Sequence, residues 1–291
     1  MDRGFSVVVG MSLAYAVSFF GMLLAYIVYQ RNNNEDRFLL ASLTPSDTSN
    51  PSEQDGDSIG PRGYLLLVAD GMGGAAAGEV ASEMAATVVY DRLMADWGPE
   101  KRSSPTLFAS LLEEAVVEAN RKIHELARAD PDLQGMGSTL TAVGVIKDRL
   151  IFAQVGDSRG YLLRKGHPTQ VTKDQSLVRH LVDEGHIQED EAETMAGSNL
   201  ILQALGPSPE IEVDITTKKA RRGDTLILCT DGLFGVVTET EINEAVQRSH
   251  HPEGICEDLI ELANSRGGPD NVTVVVGRLD GPGLRKPHPW E

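Results

Sequence analysis

Six acidic side chains sit where apolar stretches begin or end: Glu35 and Asp36 in "RNNNED", Asp70 in "LLLVADG", Asp157 in "AQVGDSRG", Asp231 in "LILCTDG" and Asp270 in "GGPDNVTVVV". One Asp-Gly step of this kind reads as a turn. Repetition changes that reading, because carboxylates at neighbouring strand ends repel one another unless a cation lies between them, and hard divalent ions take oxygen ligands. Carboxylates, joined by a main-chain carbonyl such as that of Gly71, favour magnesium or manganese over zinc. None of the seven histidines lies in one of these motifs. Two such ions about 4 Å apart can activate one water, aim it at phosphorus and offset the charge of an in-line displacement. That chemistry is phosphoester hydrolysis. Arg31, four and five residues before Glu35 and Asp36, is spaced to grip phosphate oxygens in bidentate fashion.

Such a site needs rigid elements to aim it. The five apolar residues before Asp70 argue for a strand packed on both faces. "SLTPSDTSNPSEQDGDSIGPRG" before it reads as a long hairpin connection. Two amphipathic stretches, residues 78–97 and 104–129, predict helices, the second opened by Ser104 ahead of Pro105. Residues 138–166 alternate apolar and polar residues about the turns "KDR" and "GDSRG", as an antiparallel meander does. Further helices are expected over 174–185, 238–249 and 252–265, and further strands in "IEVDITTKKA", "DTLILCTDG" and "NVTVVVGRL". Strands in hairpins interrupted by helix pairs predict an α+β protein of antiparallel sheets covered by helices. Residues 31–280 read as one domain, preceded by an apolar segment over 1–30 and followed by a tail over 281–291.

The composition is that of a globular protein with a core, 41% hydrophobic, and its 26 basic against 43 acidic residues give a net charge of −17. Such a charge repels nucleic acid. Cys229 and Cys256 have neither disulfide-framework nor zinc spacing and read as core residues in a reducing compartment. Residues 5–29 carry no charge and are long enough to span a bilayer, which predicts a membrane helix, with a pair of buried strands as the competing reading. A dinucleotide fingerprint, "GxGxxA" at Gly71, Gly73 and Ala76 with Asp91 downstream, also fits. It asks for Asp91 at the end of a second strand, where the pattern is helical, and leaves Asp36, Asp231 and Asp270 unexplained.

In order along residues 31–277, "RNNNED", "VADGMGGAAAGEVAS", "GSTLTAVGV", "VGDSRGYLL", "TKDQSLV", "LILCTDGLFG" and "GGPDNVTVVV" resemble the bacterial branch of the metal-dependent type 2C serine/threonine protein phosphatases. The resemblance implies a four-layer αββα sandwich, two antiparallel sheets flanked by helix pairs, with the metals in a channel at one end. It implies that Asp36 bridges two manganese or magnesium ions and that Asp70 and the Gly71 carbonyl serve one. Asp231 and Asp270 hold the other, and Glu35 acts through water. Asp157 falls on a ligand of a third, weaker ion shared with Asp231, and Arg31 on the phosphate-binding arginine. The implied partners are phosphoserine and phosphothreonine proteins, namely the substrates of an opposing bacterial Ser/Thr kinase or the kinase itself. The catalytic domain is then expected to face the cytoplasm, anchored through residues 5–29. A non-catalytic binding module on the same scaffold and a phosphatase of anti-sigma-factor regulators are the alternatives. Departures from the family pattern are Met72 where animal relatives carry a histidine, Gln175 where histidine is common, Val28 where glycine is expected, and "AGSNLILQALG", which lacks the usual His-Pro and Arg. With Met72 in that place, the leaving oxygen must take its proton from water or another group.

Overall fold

The computed structural model describes residues 21–29, 34–44, 62–98, 104–188, 191, 200–249, 251–281 and 283–290; for 21–29 and Ala75 the description is of the backbone. The strands are β1 (Gly21–Tyr29), β2 (Asp36–Ser42), β3 (Tyr64–Met72), β4 (Gly137–Ser138), β5 (Leu140–Ile146), β6 (Arg149–Val155), β7 (Arg159–Arg164), β8 (His167–Gln170), β9 (Asp214–Lys219), β10 (Thr225–Cys229) and β11 (Val272–Asp280). One sheet runs β1-β11-β10-β7-β8 and the other β2-β3-β5-β6-β9, with β4 attached to the end of β3. All the pairings within both sheets are antiparallel. Helices α1 (Ala75–Asp96) and α2 (Pro105–Ala129) cover the β3 sheet, and α5 (Glu239–Arg248) and α6 (Pro252–Ser265) cover the β11 sheet. Two short helices, α3 (Leu177–Asp183) and α4 (Asp231–Phe234), complete the set among the described residues. The architecture is the expected α+β sandwich of two antiparallel sheets between helix pairs.

The apolar run before Asp70 shows why the layers form. Leu65, Leu67 and Ala69 of β3 pack with the α1/α2 helices, while Leu66 and Val68 point between the sheets. Both faces of the strand are therefore dry, so its sequence carries no alternation. Each fully buried leucine there contributes about 1.5–3 kcal/mol of apolar transfer. Helix ends follow their sequence signals: Ser104 Oγ accepts from Leu107 N–H at 3.1 Å with Pro105 at the first helical position, and Thr238 and Glu241 form a reciprocal cap on α5. Cys229 and Cys256 are buried free thiols, as a core role requires. The β2–β3 hairpin is closed below its excursion by Leu43 N–H donating to Gly63 O at 3.0 Å.

Two expectations are corrected. The turn at "KDR" is a true hairpin, with Ile146 opposite Arg149 and Lys147 at φ 55°, but the turn at "GDSRG" is not. There β6 stays with β5 and β9 while β7 joins β10 and β8, so residues 156–158 carry the chain from one sheet to the other. Alternation reports which way side chains face and is blind to which sheet a strand joins. Gly156, at φ 95°, makes the step, and the Thr139 side chain fills the space where a Cβ would stand.

The second correction concerns the membrane helix. Gly21–Tyr29 is a strand, paired residue for residue from Gly21 opposite Asp280 to Tyr29 opposite Val272. Its β-branched and aromatic content suits a sheet. Among the described residues no helix is long and apolar enough to cross a membrane. Residues 5–20 lie outside the described residues. The dinucleotide reading, already disfavoured by the helical pattern around Asp91, is excluded: α1 runs unbroken through Asp91 and β3 has antiparallel neighbours, where a fingerprint needs a second, parallel strand.

Candidate metal centre

The carboxylate-bearing strand ends lie at the same end of the sandwich. In one sheet β2 begins at Asp36, directly opposite Asp70 near the end of β3. In the other, β10 ends at Cys229 next to the start of β7 and β11, which puts Asp231 and Asp270 just beyond paired strand ends. Asp157 sits on the crossover that joins the sheets.

Asp36 is the most enclosed, 1% exposed. Its Oδ2 accepts from Thr230 Oγ1 at 2.9 Å and from Thr273 Oγ1 at 2.7 Å, two hydroxyls from the opposite sheet. Its Oδ1 is buried with no partner among the described residues, and so is Asp231 Oδ1. Burial pushes the Asp36 carboxyl up to about 7; the hydroxyls of Thr273 and Thr230 pull the other way, and Asp231 and Asp270 add repulsion. Asp70 lies well above the usual carboxylate range, through burial and then through the charges of Asp36, Asp231, Asp157 and Asp270. Burial, then Asp231 and Asp174, lifts Asp157 to about 7. Asp231 and Glu35 are also raised, each by burial first and Asp270 second.

This is a ring of mutually repelling acids rather than a finished cage: among the described residues no three Asp, Glu, His or Cys side chains form a ready-made metal cluster. Two buried carboxylate oxygens without donors, in an all-oxygen set, fit a hard divalent cation. Arg31 lies outside the described residues.

The main chain around these acids is held closely. Asp70 N–H donates to Thr139 Oγ1 at 3.0 Å, and Asp70 O accepts from Thr139 N–H at 2.8 Å and Ser138 Oγ at 3.1 Å. Gly71 N–H donates to Glu35 O at 3.1 Å. A Cβ on Gly71 would run into the Gly78 carbonyl, and one on Gly78 would occupy the place of Glu35 Oε2. The glycines thus let α1 approach β3 closely enough to leave the Glu35 carboxylate its room. Glu35 N–H donates to Asn271 Oδ1 at 3.2 Å, which ties this segment to the start of β11.

Thr230, Thr273 and Thr139 are the site's unpredicted members. The available signal was a hydroxyl in an otherwise apolar strand: Thr230 directly precedes Asp231, and Thr273 breaks the run "VTVVV". Gln175, read only as a departure from a pattern, turns out to bind the Gly156 turn.

The sequence profile described as Protein phosphatase 2C matches residues 52–264. The chain belongs to the protein phosphatase 2C family. Within that family it is 44% identical over 220 residues to the serine/threonine protein phosphatase PstP of Mycobacterium tuberculosis (strain CDC 1551 / Oshkosh), covering 76% of this chain and 41% of that protein. It is 39% identical over 216 residues to the serine/threonine phosphatase stp of Listeria welshimeri, covering 73% of this chain and 83% of that protein. The chain therefore spans under half the length of PstP and most of the length of stp. The crystal structure of the PstP catalytic domain in complex with two manganese ions superposes with a TM-score of 0.70 at 39% identity, over 89% of this chain and 99% of that one. The protein phosphatase 2C sandwich and the family's bacterial serine/threonine phosphatase branch are thereby the setting for the acidic ring.

Proposed function

We propose that this chain is a metal-dependent protein serine/threonine phosphatase, releasing phosphate from phosphoserine and phosphothreonine. The observation that carries the reading is the pair of buried oxygens Asp36 Oδ1 and Asp231 Oδ1, without hydrogen-bond partners among the described residues, in a cluster of acids. In this reading Asp36, Asp70, the Gly71 carbonyl, Asp231 and Asp270 hold two magnesium or manganese ions, Glu35 acts through water, and Asp157 with Asp231 holds a third. Bound ions supply the activation of one water and offset the charge gathering on the phosphate. The hydroxyls of Thr230 and Thr273 fix one oxygen of Asp36, and the other, Oδ1, would be the one available to a cation. Arg31 grips the phosphate and orients it for in-line attack. Met72 has no proton to give, so the leaving serine or threonine oxygen takes its proton from water or another group. The substrates are cytoplasmic phosphoproteins, among them targets of an opposing Ser/Thr kinase or the kinase itself.

A phosphate-release assay on a phosphothreonine peptide tests this. Turnover should require manganese or magnesium and should be lost in Asp231→Asn. Turnover indifferent to metal rules the reading out, and absent turnover rules it out in favour of a non-catalytic binding module on the same scaffold.

A further inference from the structure

The segment 174–177 makes contacts that the reaction as described does not use. Gln175 is bound twice to one residue: Gly156 N–H donates to Gln175 Oε1 at 2.9 Å, and Gln175 N–H donates to Gly156 O at 2.9 Å. Gly156 is the crossover glycine, immediately before Asp157. The other atoms of Gln175 reach away from that turn. Its carbonyl accepts from Leu202 N–H at 2.8 Å, and its Nε2 donates to Glu212 O at 3.3 Å. Beside it Leu177 N–H donates to Leu200 O at 2.8 Å and Ser176 bridges Ile201. Leu200 and Leu202 themselves stand 55% and 48% exposed.

A side-chain amide offers an accepting oxygen and a donating nitrogen, and both atoms are engaged here. A half-buried residue that satisfies both main-chain atoms of a left-handed glycine fixes the direction in which the next side chain leaves the turn. For Asp157 that direction is the acidic ring, since Asp231 is its foremost charged neighbour. The same residue holds the 200–202 segment.

We propose that Gln175 is a positioning residue that aims Asp157 and joins the 200–202 segment to it, so that divalent-ion binding at Asp157 and the placement of that segment change together. The manganese arm of the test depends only on Asp157 taking a cation; the kinetic arm rests on the phosphatase reading above.

The full chain is titrated with Mn2+ alone by calorimetry, as wild type, Gln175→Ala and Gln175→His, with unfolding curves to show that each is folded. Imidazole restores one acceptor and one donor. Gln175→Ala should weaken the lowest-affinity manganese site about tenfold, the usual effect of losing an outer-shell partner, and leave the tighter sites within about twofold. Gln175→His should restore most of the loss. Chymotryptic cleavage within 200–202 should speed up in Gln175→Ala and lose its response to Mn2+. With p-nitrophenyl phosphate, kcat should fall while KM holds. Should Gln175→Ala fail to fold, Gln175→Met, which keeps the volume and removes both amide bonds, is read the same way. Any other pattern overturns the proposal: unchanged affinity, uniform loss at all sites, or loss that histidine does not repair. If the wild type releases no phosphate yet the selective loss appears, the phosphatase reading falls and the positioning role stands. If the wild type turns over and Gln175→Ala binds Mn2+ as tightly, only the positioning role falls.

Discussion

Two aspartates at opposite ends of the sandwich are equally hidden from water and treated in opposite ways. Asp224, fully buried before β10, receives Arg164 through Nε at 2.9 Å and Nη2 at 2.8 Å, and Arg221 N–H at 2.7 Å. The carboxylate of Asp36, 1% exposed at the start of β2, receives two neutral hydroxyls and, among the described residues, no cationic side chain, Arg37 reaching only the main-chain carbonyl. Its neighbours are other acids. A buried charge is tolerable when countered, as at Asp224, and costly when it is not. The chain thus counters its own charge at one end and leaves it uncountered at the other, where, on the proposed reading, a divalent cation would complete the balance.

Substitution at the two positions should therefore give opposite signs. Asp36→Asn should lower phosphate release on the order of 10³-fold, a loss of several kcal/mol of transition-state stabilisation. The same variant, without metal at pH 7, should melt higher than wild type, and adding Mn2+ should no longer raise its melting temperature. A metal-free Asp36→Asn that melts lower would dissolve the contrast. Asp224→Asn should do the reverse: it strands the Arg164 guanidinium and should cost about 3 kcal/mol in urea unfolding. Its metal-induced stabilisation should match the wild type's.

The third expectation is a pH slope of smaller size. Asp36 and Asp157 titrate near 7 when folded and near 3.8 when unfolded, so between these values the folded state binds more protons. Stability of the metal-free chain then falls as pH rises through that window and levels off above it. Thermal melts from pH 5 to 7.5 should show a decline of a few degrees without metal and a flatter profile with Mn2+. A metal-free profile that climbs with pH would mean the ring is not charge-strained.

The acids were legible because each sits at a boundary where periodicity changes, and because five separated strand ends carried the same signal. β3 was legible for the same reason: a run apolar on both faces has few alternatives. The helix beginning at Pro105 announced its start through the proline and the Ser104 cap. What the pattern could not carry was sheet membership. β6 and β7 have the same alternation whether they pair with each other or lie in facing sheets, and only the partners β9 and β10, more than fifty residues on, decide it. β1 misled for a related reason: an uncharged stretch suits lipid and a protein interior alike, and its nine paired positions with β11 are invisible locally. Thr230 and Thr273 were hidden because a hydroxyl becomes meaningful only once Asp36, some two hundred residues earlier, is brought beneath it.

Gly71 against Gly78, Gly78 against Glu35, and Gly232 against the Asn271 carbonyl leave no room for even one methyl. Backbone meets backbone at Gly71 and Gly232, and Gly78 lies against the Glu35 carboxylate, so at these three points the acidic end has no slack for a larger residue. Relatives that differ in what they recognise must therefore diversify through the lengths and compositions of rim loops, and an engineer seeking new specificity should leave these three contacts alone.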